Sequence, residues 1–105
     1  MPAQTPVAAG RVATVEEVYG LWSIRDGKSA CRIALSSLNS GIGHQATIEQ
    51  CTIPSLAQGV VWRPVIGGFE LLGLGDRILA RFRKTDLDTL ESTDGRLKGE
   101  RAIEF

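Results

Sequence analysis

Hydrophobic and polar residues alternate with a period of two along most of this chain, and turn chemistry interrupts the alternation at short intervals. The clearest run is Ala30-Cys31-Arg32-Ile33-Ala34-Leu35, with Cys31, Ile33 and Leu35 on one face and Arg32 on the other. Before it, Leu21-Trp22-Ser23-Ile24-Arg25 reads as a strand closed by Asp26-Gly27-Lys28, where glycine supplies the positive φ of a tight hairpin. After it, Asn39-Ser40-Gly41-Ile42-Gly43 is loop chemistry, residues 44–51 form a third strand with a weaker pattern, and residues 52–58, with Pro54, make an irregular connection. Val60-Val61-Trp62-Arg63 is a fourth strand that Pro64, lacking an N–H, is expected to end. Residues 69–72 and 78–83 pair through Gly73-Leu74-Gly75-Asp76, with Ile78, Ala80 and Phe82 facing in and Leu79, Arg81 and Arg83 facing out. Residues 89–92 turn at Asp94-Gly95 into a last strand over residues 100–105. Short strands in simple succession predict an all-β fold, an eight-stranded antiparallel up-and-down β-barrel, because closure leaves no exposed edge. A barrel of that size holds its own side chains or one small ligand.

The front of the chain follows other rules. Residues 1–13 hold Pro2, Pro6, four alanines and Gly10 without periodicity, which predicts an extended arm, free unless a partner holds it. An ordinary frayed terminus is the plainer reading. Thr14-Val15-Glu16-Glu17 then matches a capping box, with Thr14 capping the Glu17 amide and Glu17 reaching back. The predicted helix spans residues 14–19 and stops at Gly20. So short a helix needs support, so Val15, Val18 and Tyr19 are expected to rest on the body. The division is an arm over residues 1–13 and one domain over residues 14–105.

Composition narrows the function classes. In 105 residues, a 43% hydrophobic fraction suits one globular domain, and 12 basic against 12 acidic residues call for neither nucleic acid nor an anionic membrane. No apolar run is long enough to span a bilayer, and the first ten residues lack the basic and apolar regions of a secretory signal. Two cysteines are too few for a four-ligand zinc site and form no C-x-x-C pair. Their spacing permits a disulfide, which would imply an oxidising compartment; two buried free thiols are the alternative. His44, the single histidine, reads as a surface residue near a loop, without partners for a metal site or a catalytic triad. Trp22, Trp62 and Phe82 read as barrel core. Arg77, Arg81, Arg83 and Lys84 read as solvated strand surface, and Asp76, Asp86 and Asp88 show no paired-carboxylate logic. No enzyme activity, cofactor or bound metal is expected.

Several linked pieces, taken in order, resemble one family. A short acidic helix runs into Gly20-x-Trp22; Cys31-x-Ile33-x-Leu35 and then Cys51 follow; next come Val61-Trp62-Arg63-Pro64 and a glycine-bearing hairpin returning through Leu79-Ala80-Arg81-Phe82. The chain resembles the bacterial inhibitors of serralysin-type zinc metalloproteases over residues 12–105. The resemblance implies a lipocalin-like barrel, a Cys31–Cys51 disulfide, a periplasmic or secreted location, and a secreted zinc metalloprotease as partner to a monomer. In that family the N-terminal arm enters the protease cleft and, in the best-known members, its α-amino group displaces the water on the catalytic zinc, which keeps one open coordination position. Carried over, Ala8, Ala9, Gly10, Arg11, Val12 and Ala13 would lie in the cleft, and Thr14 and Glu17 would orient them. This chain departs from the pattern in that the family's mature N-terminus falls near Ala8-Ala9, leaving residues 1–7 ahead of it. Two other readings remain: a barrel domain of an outer-membrane or periplasmic lipoprotein, and a small-ligand carrier using the barrel interior.

Overall fold

The computed structural model describes residues 11–102. It is a closed barrel of eight antiparallel strands in sequence order, entered through the helix α1 (Val15–Val18). The strands are β1 (Gly20–Asp26), β2 (Ser29–Ser40), β3 (Gly43–Glu49), β4 (Val61–Val65), β5 (Gly68–Leu72), β6 (Ile78–Asp86), β7 (Thr89–Ser92) and β8 (Lys98–Arg101). β1 pairs with both β2 and β8, Trp22 lying opposite Ile33 on one side and Arg101 on the other, and this closes the wall. Period-two alternation is what makes closure possible, since every second residue turns inward. Trp22, Ile24, Cys31, Ile33, Trp62, Phe69, Leu71, Phe82 and Leu90 are all fully or almost fully buried and join one contiguous cluster. The interior is a packed core. Phe69 stacks on Phe82 at 5.0 Å between ring centroids and meets Trp62 edge-on at 6.0 Å.

The single disulfide joins Cys31 to Cys51. Cys51 lies just past β3, at the start of the irregular connection to β4, and Thr52 is tied to Ala30 by backbone and side-chain hydrogen bonds. That connection sends Ile53 and Leu56 into the core and so covers one end of the barrel. Alternation of strand direction places this end opposite the helix.

Four expectations are corrected. Pro64 does not end β4: it pairs with Phe69 inside the strand. The ladder between β3 and β4 stops at His44–Trp62, so the missing N–H of Pro64 falls beyond it. Ile78 is 43% exposed, although it is in phase with Ala80 and Phe82. Leu71 pairs with Ala80 but Leu72 pairs with Ile78, so one extra residue on β6 forms a bulge that turns Ile78 outward. Tyr19, expected to rest on the body, is 47% exposed at the C-cap of α1, whereas Val18 is completely buried. The last strand begins at Lys98, two residues before the expected start, and residues 103–105 of the expected span lie outside the described residues.

Candidate functional site

The end of the barrel opposite the disulfide is where α1, the foot of the arm and three hairpin turns meet. Thr14 caps α1: its Oγ1 accepts the Glu17 amide at 3.3 Å, and its own amide donates to Glu17 Oε1 at 2.9 Å. Arg11 extends this box outward, donating from both Nη atoms to the two Glu17 carboxylate oxygens at 3.2 and 2.9 Å. Thr14 and Glu17 therefore form the capping box that the sequence predicts, with Arg11 joined to it. A capping box is readable from spacing; an arginine six residues away in an extended segment is not.

The expectation of a free arm fails at its foot. Val12 bridges Ile66, the Ala13 amide donates to the Val65 carbonyl at 3.1 Å, and the Gly67 amide donates to the Arg11 carbonyl at 3.0 Å. Ala13 is buried. Residues 11–13 thus lie along the β4–β5 turn, a contact across more than fifty positions that no local pattern announces. Gly68 permits the close seat of that turn: a Cβ there would lie 1.9 Å from the Phe82 carbonyl oxygen. Ala8, Ala9 and Gly10 lie outside the described residues.

Behind the arm, the C-terminal end of α1 is plugged into the barrel mouth. Trp22 Nε1 donates to the Val18 carbonyl at 2.7 Å. Lys84 Nζ donates to the Glu17 carbonyl at 2.9 Å and to the Leu87 carbonyl at 2.8 Å. Arg101 donates to the Tyr19 and Glu17 carbonyls at 2.7 and 3.3 Å, and its guanidinium lies 4.3 Å from the centroid of the Trp22 ring. Cations at these carbonyls suit the negative end of a helix. Lys84 is a further departure from the solvated surface expected of its cluster. It continues the inward phase of Phe82 and is 9% exposed, and burial, with Arg101 close by, pushes its ammonium below the usual lysine range.

The Arg11 guanidinium, aided by the Thr14 amide, holds the Glu17 carboxyl down to about 2. A carboxyl depressed in the folded state stabilises it fully above its ordinary value near 4.5 and loses that contribution as pH falls toward 2. Titration followed by the Thr14 amide NMR signal is therefore expected to turn near pH 2, and Glu17→Gln is expected to abolish the step. A midpoint at the ordinary carboxyl value would show that the clamp is open in solution.

The rim around this anchor carries exposed apolar residues. Of the nine large hydrophobic residues exposed among those described, Val12, Tyr19, Leu38, Ile42, Ile66 and Leu87 sit at this end, in the arm foot, the helix cap, the last residues of β2 and the turns after β2, β4 and β6. Only Val60, Leu74 and Ile78 lie elsewhere. Exposed apolar residues gathered at one end, as opposed to scattered singly, make that end the candidate contact surface.

Trp22, Trp62 and Phe82 are core, as the sequence predicts. Trp62 Nε1 donates to the Ser36 carbonyl at 2.9 Å, so neither tryptophan opens onto a pocket through its polar edge. His44 is half-buried against Trp62, 5.1 Å between ring centroids, with Nδ1 3.2 Å from the Ser37 carbonyl oxygen. Among the described residues no three of His, Cys, Asp and Glu gather in a group that could hold a metal ion, and no helix is long and apolar enough to cross a membrane. No protein-family model matches the chain, and no curated protein matches it either.

Proposed function

We propose that this chain is an inhibitor of secreted zinc metalloproteases of the serralysin type, working in the periplasm or outside the cell as a monomer that places its N-terminal arm in the protease cleft. One observation carries the reading: the arm foot is clamped to the barrel at residues 11–17, and it emerges from the one end where exposed apolar residues gather. A strut fixed at its base loses less freedom on binding than a loose terminus, and an apolar rim offers contact area around it. The disulfide accords with an oxidising compartment. The packed interior speaks against a small-ligand carrier.

Three forms test the proposal: the full 105-residue chain, one beginning at Ala8, and one beginning at Thr14. Proteolysis by a serralysin-type enzyme is expected to be slowed by the form beginning at Ala8 and released from inhibition when the arm is removed. Inhibition by the Ala8 form alone assigns the zinc contact to the free α-amino group. Equal inhibition by the first two forms means that the arm fills the cleft without its terminus. Failure of both at micromolar concentration overturns the proposal for that protease class.

A further inference from the structure

The outer wall of the barrel carries a buried carboxylate. Glu70 on β5 is 4% exposed, although its side chain points away from the core. Its cross-strand neighbours are Arg63 on β4 and Arg81 on β6. Arg63 Nε donates to Oε1 at 2.8 Å and Arg81 Nε donates to Oε2 at 2.6 Å. Burial alone would raise the Glu70 carboxyl; the two arginines outweigh it and hold it below the usual range. One carboxylate thus fixes two guanidiniums side by side through a single nitrogen each, and their Nη groups have no hydrogen-bond partner among the described residues. The cluster keeps a net charge of one positive unit, and both arginine side chains remain partly exposed.

Val12, Pro64 and Ile66 adjoin this cluster and, with it, line an open depression of about 530 Å³ on the flank of the arm foot. Resting on the function proposed above, we propose that this depression receives a carboxylate carried next to an apolar side chain on the partner protein, an Asp or Glu on the rim of the protease cleft. Charge complementarity supplies the carboxylate: a planar guanidinium fork matches it with two hydrogen bonds, and Glu70 has already restricted both arginine side chains. The apolar half selects a peptide over a phosphate backbone, which would ask for several cations in a row. Position supplies the occupant, because Val12 belongs to the arm itself and whatever surface accepts the arm lies over it.

The test uses the full chain and two blocked peptides, acetyl-Leu-Asp-Leu-amide and acetyl-Leu-Asn-Leu-amide. The aspartate peptide is expected to shift the Nε–H signals of Arg63 and Arg81 in NMR titration, the asparagine peptide to leave them in place, and Arg81→Gln to remove the response while Arg63 still covers Glu70. Equal shifts from both peptides, or none from either, overturn the proposal. Inhibition is read separately. Arg81→Gln is expected to weaken it about tenfold, the worth of one charge-assisted hydrogen bond, and to flatten its salt dependence. A wild-type chain that responds to the aspartate peptide but inhibits no metalloprotease keeps the carboxylate receptor and sinks the protease reading. The reverse result keeps the inhibitor and sinks the receptor.

Discussion

Trp22→Ala is expected to remove most of the stability of this domain. The indole is completely buried, and truncating a core aromatic costs about 3–5 kcal/mol. The Val18 carbonyl loses its donor, a further cost of about 1–3 kcal/mol if water does not replace it. Against a total of about 5–15 kcal/mol for a domain, the sum leaves little margin. Trp22→Phe keeps a buried aromatic ring but loses the N–H and part of the indole volume, and it is expected to cost less than Trp22→Ala yet no less than the unpaired Val18 carbonyl, about 1–3 kcal/mol. Denaturant midpoints measure both. A Trp22→Ala variant as stable as the parent would mean that the barrel mouth is held by Lys84 and Arg101 alone.

Reducing the Cys31–Cys51 disulfide is the second large effect, about 3 kcal/mol from the greater freedom of the unfolded chain. The loss is expected to be local in its functional consequence. The bridge lies at the end covered by Ile53 and Leu56, while the arm clamp lies at the other. Below the lowered melting temperature, the reduced protein is expected to keep the Thr14 amide signal in place. A scan with and without reductant, paired with that signal, separates global stability from arm position; loss of both together would place the bridge within the arm's support.

The wall of the barrel was legible because alternation is a local property. Cys31, Ile33 and Leu35 face the core as their spacing requires, and β7 spans the residues that the pattern marks. Two of the misreadings share a cause: contacts outside the local pattern set the residue's environment. Ile78 turns outward through a bulge whose register is fixed by Leu71 and Leu72. Lys84 turns inward because two carbonyls, from Glu17 and Leu87, wait for its ammonium. Glu70 is buried where the folded sheet sets Arg63 and Arg81 on either side of it, a placement that no local pattern announces. At the candidate site, the capping box of Thr14 and Glu17 could be read from four consecutive residues, but the docking of Val12 on Ile66 could not. Buried charges and tertiary bridges carry no periodic signature, and this site is made mostly of them.

The pairing of β1 with β8 has a topological consequence. An even number of up-and-down strands returns the chain to the rim from which it set out, and the Ala102 amide donates to the Leu21 carbonyl there at 2.8 Å. The described chain thus both enters and leaves the barrel at the rim that holds the arm foot. A label inserted in the turn after β1 or after β7 points away from that rim. Surface immobilisation through those turns presents the rim with the arm foot to solution.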